Sequence, residues 1–157
     1  MTRREFFDAL LDAAGHDERI WLLTADLGHG LIEEFEKWHP DRFVNCGCRE
    51  QAMVGIAAGL AKEGKIPFCY SHANFLVYRA LEFIRNDVVL PQVPVRFIAV
   101  GYDGAYPDAG PTHHHDLWRT LDIAGVLEDV LIIVPPEWEG DFAVLVAEDA
   151  PYLIALK

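Results

Sequence analysis

Hydrophobic positions along the chain switch repeatedly between helical and strand spacing, and the switches mark out alternating elements. Thr2-Arg3-Arg4-Glu5 has the form of a capping box, which predicts a helix to about Ala14 with Phe6, Leu10 and Leu11 inward, stopped at Gly15. Arg19–Ala25, RIWLLTA, is a continuous apolar run of strand length, as expected of a strand buried on both faces. Asp26-Leu27-Gly28 reads as a loop, and Leu31–Trp38 as a short helix ending before Pro40. Phe43-Val44 is a brief strand that turns at Cys46-Gly47-Cys48. A helix follows, with Met53, Ile56, Ala57, Leu60 and Ala61 on one face. Gly55 and Gly59 lie inside it, each at a cost of about 1 kcal/mol relative to alanine, which suggests that another backbone packs closely there.

The second half continues in the same way. Ile66–Tyr70 is a strand, Ser71–Asn74 a loop, Phe75–Val88 a helix and Val95–Val100 a strand. Gly101–Pro111 is rich in Gly, Pro and Asp and reads as a long loop, of the kind that more often carries function than not. A helix near His115–Leu121, a strand at Val130–Val134, a helix near Gly140–Val146 and a strand at Tyr152–Leu156 complete the series. Alternating strands and helices predict a three-layer α/β fold, with a mostly parallel sheet of about six strands and helices on both faces. The whole of 1–157 is expected to form one domain.

Composition narrows the partners. With 52% hydrophobic residues the chain can fill a core, and no stretch reaches the roughly 20 apolar residues that span a bilayer. Glu5 and Asp8 interrupt the apolar run that a signal peptide needs, so a cytoplasmic location is expected. A net charge of −12 repels phosphate backbones and argues against nucleic acid or anionic membranes. The three cysteines, Cys46, Cys48 and Cys69, suit reduced thiols better than a disulfide framework. Cys46-x-Cys48 and His113-His114-His115 lack the paired spacing of a structural zinc site, so no bound metal is expected on this chain.

Glu50, in the first turn of its helix, has a simple role available as a partner of the helix dipole. Its surroundings suggest more. The string VNCGCREQAMVGIAAGLA resembles the pyrimidine-binding domain of the transketolase family of thiamine-diphosphate enzymes. LLTADLG at 22–28, NFLVYRALEFIRND at 74–87 and GPTHHHD at 110–116 fit the same family in the same order. The resemblance implies the thiamine-diphosphate-binding fold and a catalytic role for Glu50, which would hydrogen-bond the cofactor's pyrimidine ring. It also implies Phe75 and Tyr78 as aromatic walls for that ring, with Asp26 and Leu27 lining the cofactor site. Leu81 or Phe83 would stand in for a third aromatic that has no clear match. His113 would reach the substrate through the Gly-Pro-Thr-His loop, and His72 is a further candidate from its proximity.

The departures from the family are as informative. Transketolases commonly carry an aspartate before Gly-Pro-Thr-His, where this chain has Ala109, so an ordinary ketose donor is in question. The family holds diphosphate and Mg²⁺ on a separate domain with a Gly-Asp-Gly signature, and Gly101-Tyr102-Asp103-Gly104 does not fit it. A counterpart of the family's third, C-terminal domain is not expected in 1–157 either. The resemblance therefore implies the pyrimidine-binding subunit of a split enzyme. Its partner would be a diphosphate-binding subunit that holds Mg²⁺, in a heterotetramer acting on a small sugar or 2-oxo substrate. The alternatives are a split 2-oxo-acid decarboxylase subunit and a non-catalytic regulatory or assembly subunit.

Overall fold

A computed structural model describes residues 1–113, 116–127, 132–134, 136 and 140–156. Helix α1 (Arg3–His16) opens as its sequence dictates. Thr2 accepts a hydrogen bond from the Glu5 backbone while the Glu5 carboxylate accepts from the Thr2 backbone, so two otherwise unpaired donors are satisfied. Strand β1 (Ile20–Thr24), helix α2 (Glu33–Trp38), strand β2 (Phe43–Asn45) and helix α3 (Glu50–Lys62) follow. Strand β3 (Ile66–His72) leads directly into helix α4 (Ala73–Phe83), whose last turn widens into a π-helical turn at Ile84–Val89. Strand β4 (Arg96–Val100), helix α5 (Leu117–Gly125), strand β5 (Ile132–Val134), helix α6 (Phe142–Ala147) and strand β6 (Tyr152–Ala155) complete the chain.

All six strands are parallel, in the order β2-β1-β3-β4-β6-β5. Alternate residues of β1, β3, β4 and β6 serve opposite layers. Leu23, Cys69, Phe97, Ala99 and Leu153 face α3, α4 and α5, whereas Leu22, Phe68, Tyr70, Ile98 and Ile154 face α1 and α6. Both faces are covered, which explains why the strands read as unbroken apolar runs rather than alternating ones. Arg96 starts β4 fully buried. Its guanidinium donates to the carbonyls of Leu145 (2.5 Å), Ala150 (2.6 Å) and Glu148, tying the α6–β6 connection to the sheet.

Four expectations need correction. Ser71–Asn74 is not a loop: Ser71 and His72 pair with Ala99 and Val100 of β4, Ala73 and Asn74 open α4, and all four are buried. Helix α2 starts at Glu33, not Leu31, because Gly28 and Gly30 hold the preceding turn in left-handed backbone. The inward face of α3 is Met53, Val54, Ala57, Ala58 and Ala61; Ile56 is 43% exposed and Leu60 is half-buried. Among the described residues, no backbone outside α3 approaches Gly55 or Gly59: an added Cβ at either would meet nothing within 4 Å. The start of the helix expected at His115 and the first residues of the strand expected at Val130 lie outside the described residues.

Candidate active site

The strand order reverses between β1 and β3. Chain leaving β1 goes to β2 on one side, while β3 lies on the other, so the loops at their carboxyl ends diverge and leave a crevice. A cleft of about 520 Å³ lies there. The loop after β1 gives it Ala25, Asp26 and Leu27, and the turn after β2 gives it Cys48. Asp26 takes left-handed backbone (φ 57°), unusual for a residue with a side chain, and is held by Asn45 at the end of β2. The Asn45 amide oxygen accepts from the Asp26 N–H (3.2 Å) and from the Gly47 N–H (2.9 Å). Leu27 is fixed by Thr24, whose hydroxyl donates to the Leu27 carbonyl at 2.7 Å.

Gly47 (φ 63°) makes the tight turn that brings the chain from β2 straight into α3. Glu50 begins that helix and lines the cleft, yet it is only 1% exposed. A carboxylate so buried requires partners. Its Oε1 accepts from the Ser71 hydroxyl at 3.1 Å, and its Oε2 accepts from Arg79 Nη1 at 2.8 Å. Arg79 lies one turn beyond Phe75 on α4, and its guanidinium carbon stands 4.1 Å from the centre of the Phe75 ring.

The far wall is aromatic. The His72 ring lies 5.0 Å from that of Phe75 and 5.6 Å from that of Tyr106. His113 meets both His72 (5.3 Å) and Phe75 (5.0 Å) edge-on at 86°. Asn74 anchors the loop that carries His113: its side-chain amide donates to the Thr112 carbonyl at 3.0 Å. Arg3, on α1, lies near Tyr70 and Tyr106; burial opposes its charge, but its interactions with these two residues outweigh that and raise its pKa. Ala109 and Thr112 complete this side of the cleft.

Six residues singled out in the sequence thus line one cleft: Glu50, Phe75, Asp26, Leu27, His113 and His72. Tyr78 does not line it. It is 42% exposed, with its hydroxyl 3.5 Å from that of Thr120 on α5. Neither Leu81 nor Phe83 reaches the cleft: Leu81 packs on the core, and Phe83 is exposed at the end of α4. Ser71, Arg79 and Tyr106 line the site without having stood out in the sequence, and so does Cys48, weighed there only as a zinc ligand. Arg79 carried a visible signal, since it follows Phe75 by four residues and so shares its helix face. Asp103 is engaged elsewhere, accepting from the Leu117 N–H at 3.2 Å.

A buried carboxylate and an aromatic ring in one cleft suit a flat heterocycle with a ring nitrogen, stacked on Phe75 and bonded to Glu50, in the place that the Arg79 guanidinium takes here. Those features fit the aminopyrimidine half of thiamine. Among the described residues, no group of three or more His, Cys, Asp and Glu that could hold a metal ion occurs. Cys46, Cys48 and Cys69 are free thiols, and burial raises the pKa of Cys46 and Cys69.

Comparison with known proteins gives consistent results. The family model "Transketolase, pyrimidine binding domain" matches residues 1–135. One of the subunits of the apulose-4-phosphate transketolase of Phocaeicola vulgatus is 41% identical over 118 residues, which cover 73% of this chain and 38% of that protein. A transketolase C-terminal section from Methanocaldococcus jannaschii is 34% identical over 143 residues, 87% of this chain and 43% of that one. Among solved structures, the inactive β4 tetramer of a split-gene transketolase superposes with a TM-score of 0.78 at 29% identity, over 99% of this chain and 51% of that chain. The chain therefore spans about two fifths of the length of these two curated relatives.

Proposed function

The chain belongs to the transketolase family by its pyrimidine-binding domain, and from that premise we propose that it is one subunit of a split transketolase-like transferase. Enzymes of this family use thiamine diphosphate, whose thiazolium carbon, when bound, carries the ketol or acyl unit in transit between carbonyl compounds. All of 1–157 serves as the pyrimidine-binding domain. A separate diphosphate-binding subunit supplies the Mg²⁺ site, and two copies of each chain form a cytoplasmic heterotetramer. No helix among the described residues is long and apolar enough to cross a membrane. Ile56, Tyr78, Phe83, Trp118 and Ile123 leave exposed apolar surface on α3, α4 and α5. Such surface supports a protein partner on that layer.

The observation that carries this reading is Glu50: a carboxylate 1% exposed, on the wall of the same cleft that Phe75 lines. Glu50 would share a proton with the pyrimidine ring nitrogen through its carboxyl group, which would favour the tautomer that activates the cofactor. Phe75 orients the ring, and Leu27 and Asp26 bound it. His113 and His72 face the space on the far side of Phe75, where a substrate hydroxyl or carbonyl would be held and water excluded. Ala109 occupies that rim without a carboxylate, so the donor differs from an ordinary ketose phosphate at the hydroxyl a family aspartate would read.

The test is reconstitution. The chain is co-expressed with a diphosphate-binding chain carrying the Gly-Asp-Gly signature and assayed for ketol transfer with thiamine diphosphate and Mg²⁺. The expected result is co-purification as a heterotetramer, with activity that neither chain has alone. Micromolar thiamine-diphosphate binding by the lone chain would contradict a shared site.

A further inference from the structure

Arg79 holds both of the contacts that the pyrimidine ring requires. It donates to Glu50 Oε2 at 2.8 Å, and its guanidinium carbon lies 4.1 Å from the centre of the Phe75 ring. A guanidinium is planar, delocalised and weakly hydrated, so it stacks on an aromatic face and pairs with a carboxylate much as a protonated aminopyrimidine would. Phe75 meets His113 edge-on and is tilted against His72, so the face toward Arg79 and Glu50 is the one a flat ring would use. A ring stacked there and bonded to Glu50 cannot share that volume with the guanidinium.

The geometry points to Arg79 as a latch that competes with the cofactor's pyrimidine for Glu50 and Phe75, an inference that rests on the function proposed above. The latch can open. Its side chain is 39% exposed, and α4 presents its next turn to solvent at Glu82 and Phe83, where an extended arginine can lie in water. In the latched state the buried Glu50 charge is neutralised and the aromatic face is covered. In the open state the pyrimidine takes over both contacts, and the guanidinium moves to the mouth of the cleft. Arg79 thereby sets how readily the site accepts the cofactor, without touching the atoms that react.

The competition is tested on the chain assembled with its diphosphate-binding subunit, with 4-amino-5-hydroxymethyl-2-methylpyrimidine, the pyrimidine half of thiamine, titrated by calorimetry or NMR. Arg79→Met removes the competitor, and its affinity is expected to be about tenfold tighter than that of the wild type, equivalent to about 1.4 kcal/mol. Arg79→Lys keeps a charge for Glu50 but loses the planar stack, and falls between the two; it also serves if the methionine variant does not fold. Glu50→Gln binds more weakly than the wild type. A residue that merely supported the fold would leave affinity unchanged or lower it when replaced. If Glu50→Gln weakens binding but neither Arg79 variant tightens it, the latch is overturned and the pyrimidine site stands. If no substitution changes the affinity, or no variant binds the probe, both fall.

Discussion

Replacing Gly101 by alanine tests how the backbone builds the aromatic wall of the cleft. Gly101 follows β4 in left-handed backbone (φ 75°), and an added Cβ would lie 2.5 Å from His72 Cδ2 and 2.6 Å from Tyr106 Cε2. Two effects therefore combine. The left-handed conformation costs a side-chain-bearing residue about 1–2 kcal/mol. Forcing two packed rings aside adds about 1–3 kcal/mol of overpacking. Gly104 provides an internal control: its φ is 81°, and an added Cβ there would meet nothing within 4 Å. Gly104→Ala is expected to show only the backbone effect, about 1–2 kcal/mol, against about 2–5 kcal/mol for Gly101→Ala. Urea unfolding of both variants measures the difference, and in the reconstituted enzyme Gly101→Ala should also raise KM for substrate, because His72 and Tyr106 move. Equal destabilisation by the two substitutions would refute the reasoning, since His72 and Tyr106 would then not be packed against Gly101.

Other residues carry their own consequences. Arg96→Met leaves the carbonyls of Leu145, Glu148 and Ala150 without their buried donor and is expected to destabilise the chain by about 3–5 kcal/mol, read from urea midpoints; a loss below about 1 kcal/mol would mean that the α6–β6 connection holds itself. Burial and the nearby charge of Arg42 lower the pKa of His39, whose Nδ1 lies 2.7 Å from the Arg42 guanidinium. The native state thus binds this proton less readily than the unfolded chain, so the stability it contributes is present above about pH 6.5 and is lost as pH falls below that. Urea midpoints at pH 7.5 and 5.5 should differ more for the wild type than for His39→Gln, and equal differences would remove His39 from the account. Ala109→Asp, on the rim of the cleft, is expected to shift preference toward ordinary ketose phosphates; unchanged relative kcat/KM across a donor panel would mean that position 109 does not read the donor.

Local sequence carried most of the scaffold. The Thr2–Glu5 box, the RIWLLTA strand and the alternation that follows depend on neighbours in sequence, so their periods survive into the structure. Sequence and structure part where distant chain decides. Ser71-His72-Ala73-Asn74 looks like a polar loop, yet β4 pairs with its first half and Thr112, 38 residues away, takes the Asn74 amide. On α4 the difference is a fraction of a turn. Tyr78, three residues after Phe75, falls toward α5, whereas Arg79, four residues after, falls into the cleft. Tyr106 could not be found locally, because its place depends on Gly101, His72 and Arg3 meeting from three elements. The glycines of α3 remain solvent-facing in this chain, and a partner subunit is the remaining candidate for the close approach their spacing suggests.

The most direct test of the central claim concerns Glu50. Hydrogen–deuterium exchange at the thiazolium carbon is measured in the wild-type and Glu50→Gln complexes with the diphosphate-binding subunit, both saturated with thiamine diphosphate and Mg²⁺. Glutamine keeps the shape of the side chain but cannot hold the proton. A positioned acid–base group contributes typically 10²–10⁴-fold, so exchange should slow by at least about 100-fold even with both complexes saturated. Equal exchange rates in the two complexes would contradict the account and leave Glu50 as a buried partner of Arg79 and Ser71.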